Sequence, residues 1–160
     1  MNVNCHLIVG LGETDHDLVD MFYKLKSEEI AGYLFSFNPE PGTTLHHQKR
    51  QPIKRHRRVQ LAKYLIEEKN VDRDAFQFDD NGFISSIASE EELIQNTIDE
   101  GLPFMTNGCP DRDGIMACNR PYGSYRPGEE YRDYPFKPTG DELNVIREQM
   151  QLNGTIGNQV

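Results

Sequence analysis

The sequence predicts an α/β fold, and three features carry that prediction. An apolar run, Val3–Val9, ends at Gly10-Leu11-Gly12; a stretch with helical spacing follows; a second apolar run, Tyr33–Phe37, closes the pattern. Strand, turn, helix and strand in close succession form a βαβ unit, whose strands are parallel and whose crossover is right-handed.

Each element has its own signals. Thr14 stands three residues before Asp17, a capping-box spacing, and Leu18, Phe22 and Leu25 then keep helical period to about Glu28. Asn38-Pro39-Glu40-Pro41-Gly42-Thr43-Thr44 leaves the second strand at its carboxyl end. Pro52 introduces a helix expected from Ile53 to about Lys69, with Val59, Ala62, Leu65 and Ile66 on one side. Lys54, Arg55, Arg57 and Arg58 are expected on its other side, facing solvent. Ala75–Phe78 and Phe83–Ile87 flank Asp79-Asp80-Asn81-Gly82, and Asn-Gly marks a hairpin. Ser89 with Glu92 is expected to cap a short helix bearing Leu93, Ile94 and Ile98, which Gly101 ends. Residues 102–138, dense in Gly, Pro, Tyr and Arg, are expected to be irregular. Thr139 with Glu142 caps a final helix to about Met150, and the last ten residues read as a frayed tail.

Composition narrows the function. The 160 residues suffice for one domain or part of a larger one, and 36% hydrophobic content with a mean hydropathy of −0.70 is polar for a self-sufficient core. A formal charge of −9 argues against nucleic acid, whose phosphates demand a basic face. With no membrane-length apolar run and no signal peptide, the expected location is cytoplasmic, without a membrane partner. Cys5, Cys109 and Cys118 are too few, and odd in number, for a disulfide framework.

Two loops qualify as a ligand site. Gly10 and Gly12 directly after a strand let a ligand approach the backbone at the carboxyl end of a parallel sheet. This is no dinucleotide fingerprint, since Asp15 stands where the third glycine belongs. Glu13, Asp15 and Asp17 also crowd the positive helix end, so an adenine or ribose suits the turn better than phosphates. A plain strand-to-helix turn needing glycine for its dihedrals is the alternative. The second loop, Phe35-Ser36-Phe37-Asn38-Pro39-Glu40-Pro41-Gly42-Thr43, opens on the same rim of the sheet. Cys109 and Cys118 lie in the irregular stretch; iron–sulfur ligation, zinc and two ordinary loop cysteines all remain open, though C-x8-C is not a zinc-ribbon spacing. Arg120, Tyr122, Tyr125, Arg126, Tyr131, Arg132 and Tyr134 make a candidate substrate or partner surface.

Ile8-Val9-Gly10-Leu11-Gly12-Glu13-Thr14 resembles the fifth-strand motif of radical S-adenosylmethionine enzymes, G-x-I-x-G-x-x-E, and looks closest to biotin synthase and lipoyl synthase. His6 stands where the motif's first glycine belongs. Pro41-Gly42-Thr43 resembles the sixth-strand exit of the same family, and the two together cover residues 3–66. Residues 107–135 resemble, less closely, the C-terminal region of lipoyl-synthase-like proteins that work as a pair.

The resemblance implies that residues 1–70 are the C-terminal portion of a partial (β/α) barrel. Residues 71–150 would form a loop-rich α+β extension and 151–160 a tail. It implies S-adenosylmethionine as cofactor, with Ile8, Gly10, Gly12, Glu13, Phe35 and Phe37 around the adenine, Glu13 serving the turn more than the ligand. It implies a catalytic 4Fe-4S cluster, but the C-x3-C-x2-C that would hold it does not occur here. That cluster would belong to a missing N-terminal part of the same protein, making Met1 internal and that part a partner. Cys109 and Cys118 would hold an auxiliary cluster. The implied activity is sulfur insertion into an unactivated C–H bond of a lipoyl- or biotin-type substrate or carrier protein. Methylthiolation, carbon rearrangement, or a non-catalytic module binding a nucleoside or a partner are the alternatives.

Overall fold

The computed structural model describes residues 3–113, 115–119 and 130–150. The fold is mixed α/β, and its described strands form three separate two-stranded sheets.

Strand β1 (Asn4–Val9) and strand β2 (Ala31–Ser36) run parallel, with His6 opposite Tyr33 and Ile8 opposite Phe35. Helix α1 (Asp15–Ser27) connects them, so the βαβ unit forms as its sequence predicts. Its capping box is complete: the Asp17 amide donates to Thr14 Oγ1 at 3.1 Å, and the Thr14 amide donates to Asp17 Oδ2 at 2.8 Å. Leu18, Val19, Phe22 and Leu25 form its buried stripe. A Cβ on Gly32 would meet Leu25 at 3.4 Å and Lys63 at 3.5 Å, so helices cover the face of the sheet that carries Leu7, Val9 and Leu34.

Helix α2 (Ile53–Glu67) stops two residues short of the expected Lys69 and is buried on nearly every side. The expectation of a solvated basic face is wrong. Arg57 and His56 are fully buried, and the Arg55 side chain is only 11% exposed. Arg55 precedes Val59 by four residues and Ala62 by seven, so it belongs to the apolar stripe itself. Arg57 is buried because the chain from Tyr131 onward packs over it and supplies acceptors (Arg132 O at 2.6 Å, and Tyr131 O).

Strands β3 (Phe76–Phe78) and β4 (Ile84–Ile87) make the expected antiparallel hairpin, turned by Gly82 at φ 77°. Helix α3 (Glu91–Glu100) departs from its predicted start. Glu90 is its N-cap and no side chain caps it, so the Ser89–Glu92 box does not form. Its end is as predicted: Gly101 takes the left-handed conformation at φ 72°, and its N–H donates to Ile98 O at 3.0 Å. The stretch expected to be irregular contains a short antiparallel pair, β5 (Cys109–Pro110) and β6 (Met116–Cys118). It forms because Asp111 closes the tip, its Oδ1 accepting from the Asp113 and Ile115 amides at 2.8 and 2.9 Å. Helix α4 (Gly140–Met150) starts at the predicted cap, the Thr139 amide donating to Glu142 Oε2 at 2.7 Å. The tail and the residues Arg120, Tyr122, Tyr125 and Arg126 lie outside the described residues.

One apolar cluster runs through the whole, from Val9 and Phe22 through Leu65, Ile84 and Ile98 to Ile146 and Met150. Among the described residues no helix is long and apolar enough to cross a membrane.

Candidate functional site

Strand period divides the β1–β2 pair into two faces. Opposite the helix-covered face lie His6, Ile8, Tyr33 and Phe35, in register across the ladder. The His6 ring lies 5.5 Å from Tyr33 and 5.1 Å from Phe35, and Ile8 is 48% exposed. Parallel sheets normally bury both faces. An apolar, aromatic face left open on one is therefore the outstanding surface of this fold.

That face ends on the Gly10–Glu13 turn. Gly10 and Gly12 have φ of 110° and 119°, where a side chain is strained. A Cβ on Gly10 would sit 3.3 Å from Phe37 Cβ and 3.5 Å from Gln51 Cβ, so this glycine is required by backbone and packing whatever a ligand needs. Glu13 serves the turn, as the sequence reading expects. Its two oxygens accept from the Gly10 and Leu11 amides, both at 2.8 Å, and Arg55 Nη2 donates to its Oε1 at 2.9 Å. Asp15 is fully buried; Arg55 Nε donates to its Oδ1 at 2.8 Å and the Ile84 amide to its Oδ2 at 3.0 Å.

The two loops do share a rim. The Phe37 amide donates to Val9 O at 2.9 Å, and Gln48 Nε2 donates to Gly10 O at 2.6 Å. Behind that rim lies a buried polar network that sequence reasoning missed. Gln51 Nε2 approaches His56 Nδ1 at 3.1 Å, and Gln60 Nε2 donates to Arg132 O and Asp133 Oδ1 at 2.8 and 2.7 Å. Burial and the neighbouring Arg57, Arg132, Arg50 and Arg55 hold the His56 imidazole well below its usual pKa. The signal for Gln60 was its place between the buried Val59 and Leu61; nothing local marks Arg132, whose burial depends on contacts far along the chain.

Cys109 and Cys118 are register partners in the β5–β6 pair. Cys5, on β1, lies on a different sheet. Among the described residues no group of three or more His, Cys, Asp or Glu could hold a metal ion. Tyr131 is exposed and stacks on buried Tyr134 with centroids 6.0 Å apart, while Arg132 is buried, so 131–134 is a packed segment more than a presented surface. A cleft of about 260 Å³ opens between α2 and residues 102–107, lined by Leu34, Lys63, Tyr64, Glu67 and Met105 among others.

No protein-family model, curated protein or solved structure matches the chain.

Proposed function

We propose that this chain is the C-terminal part of a radical S-adenosylmethionine enzyme that inserts sulfur into an unactivated C–H bond, working in the cytoplasm. The observation that carries the reading is the open Ile8/Phe35 face of a parallel strand pair, ending on a two-glycine turn. A flat apolar face suits a purine, and the turn presents no side chain at Gly12, where a Cβ would meet nothing within 4 Å, to keep it away. Ile8, Phe35 and Phe37 would pack on the adenine, and Glu13 would hold the turn in shape. The partial barrel belongs to the same proposal, with its remaining strands supplied by the N-terminal part that also carries the catalytic cluster.

The Cys109–Cys118 register fits the auxiliary cluster as far as two ligands go. The other ligands would come from elsewhere. When bound, the two clusters and the sulfonium cofactor supply the radical and the sulfur; this chain contributes the adenine face, the turn and the two thiolates.

The test uses the polypeptide that includes the C-x3-C-x2-C segment, reconstituted anaerobically with iron and sulfide. Replacing exposed Ile8 by Asp should weaken S-adenosylmethionine binding at least about tenfold in calorimetric titration, since a charge would be desolvated against the ligand. Cys109→Ala and Cys118→Ala should each lower bound iron and abolish sulfur insertion while sparing cleavage of S-adenosylmethionine. Unchanged affinity in the first variant removes the cofactor face from the proposal. Unchanged iron content in the other two removes the auxiliary cluster.

A further inference from the structure

A polar side chain stands in the middle of the open apolar face. His6 is exposed and lies two residues before Ile8 on β1, opposite Tyr33 on β2. Its ring meets Tyr33 edge-on, at 69° and 5.5 Å, and leans on Phe35 at 49° and 5.1 Å. These aromatic contacts fix the ring, and no protein group among the described residues hydrogen-bonds it. Tyr33 beside it is already engaged in a further interaction. Asn4, on the same face, lies another two residues away from Ile8. His6 is thus the polar group that stands next to Ile8 and Phe35 with its hydrogen-bonding capacity unused.

The turn decides which way a purine lies on this face. A Cβ on Gly12 would meet nothing within 4 Å, so there is open space at the carboxyl rim, and the bulky ribose end belongs there. The edge of the base farthest from the ribose then points down the strands. Two residues of parallel strand span about 6.6 Å, comparable to the length of a purine, which carries that edge from Ile8 to His6. In adenine this edge bears the exocyclic amine, and a neutral imidazole has one nitrogen that accepts. We propose that His6 is the specificity-determining residue of the face: its accepting nitrogen takes a hydrogen bond from the exocyclic amine of an adenine packed on Ile8 and Phe35. The inference rests on the reading of this face as a purine site. Apolar contact gives affinity with little orientation, and a single placed polar group fixes the orientation. The family motif expects glycine at this position, so the imidazole is a feature of this chain and not of the motif.

The test compares adenosine with purine riboside, which lacks the exocyclic amine, on the whole chain at pH 8. Affinities are read from saturable shifts of the Ile8 methyl resonances. The wild type should prefer adenosine by about two- to tenfold, the scale of one net hydrogen bond. His6 is exposed, so His6→Phe leaves the core untouched; it keeps a ring, loses the nitrogens, and should bind both nucleosides about equally. Tyr33→Phe removes the neighbouring hydroxyl and should keep the preference. A preference that survives in His6→Phe, or disappears in Tyr33→Phe, overturns the proposal and leaves the purine face standing. Equal binding of the two nucleosides to the wild type does the same. If neither nucleoside shifts the Ile8 methyls, the purine reading of the face falls, and this inference falls with it.

Discussion

Asp15 joins three parts of the fold that are distant in sequence, and removing its carboxylate should be costly. Asp15 is fully buried at the first turn of α1, accepting from Arg55 Nε on α2 at 2.8 Å and from the Ile84 amide on β4 at 3.0 Å. In Asp15→Ala the Ile84 amide is left buried without an acceptor, which costs about 1–3 kcal/mol. Breaking a buried ion pair outright costs about 3–5 kcal/mol. Arg55 keeps Glu13 Oε1 at 2.9 Å and Glu13 O at 2.8 Å, so its charge is not stranded and the upper limit is not reached. The expected loss is therefore about 3 kcal/mol, between the stranded amide alone and the fully broken pair. Urea denaturation of the wild type and the variant at pH 7, followed by far-ultraviolet circular dichroism, reads this as a lower midpoint at unchanged slope. A double-mutant cycle with Arg55→Ala should return a coupling of about 0.5–3 kcal/mol. A loss below about 1 kcal/mol, the range of an ordinary surface change, would refute the claim that this carboxylate ties the hairpin to the βαβ unit.

Two further outcomes follow from the same packing. Gly82→Ala should destabilise by at least about 1 kcal/mol, because φ there is 77° and the new Cβ would lie 2.9 Å from Thr14 Cβ; a variant as stable as the wild type in urea would contradict that contact. Stability should also fall as pH drops below about 6.5. Burial and Arg57, Arg132, Arg50 and Arg55 hold folded His56 below that value, so the unfolded chain binds a proton that the folded chain refuses. The His56 contribution is complete above 6.5, is lost as pH falls toward the lower folded value, and has a slope of at most about 1.4 kcal/mol per pH unit. Comparing wild type with His56→Gln between pH 7 and 5.5 isolates it from Asp133 and the other carboxylates, and equal pH slopes would sink the assignment.

What could be read from the sequence was local. The capping boxes at Thr14 and Thr139, the Asn81-Gly82 hairpin and the Gly101 stop all depend on residues a few positions apart, and all formed. The errors came where distant chain decides. Arg57 looked like a solvent residue because its acceptors, Tyr131 O and Arg132 O, lie more than seventy positions away. Ser89 failed as a cap although its spacing to Glu92 was right, since Glu90 took the N-cap position instead. Of the site residues, the Gly10–Gly12 turn was legible from glycines placed directly after a strand, Ile8 and Phe35 entered as a ligand face only through the family resemblance, and the His56–Arg132 network had no local signature.

Helix α2 acts as a hub, and that has a kinetic meaning. Arg55 reaches back to Glu13 and Asp15, Arg58 donates to Ile84 O at 2.8 Å, and Arg57 reaches forward to Tyr131, Arg132 and Gln149. The last of these contacts closes a loop of 92 residues. Chains whose stabilising contacts are so far apart in sequence fold slowly, because loop entropy is spent before the contact repays it. On the ribosome, the βαβ unit can dock and the hairpin can pair early, but Arg57 and His56 stay uncovered until the segment around Arg132 emerges. The chain is thus committed to a late closing step, with a buried guanidinium waiting in water for carbonyls near the far end of the described fold.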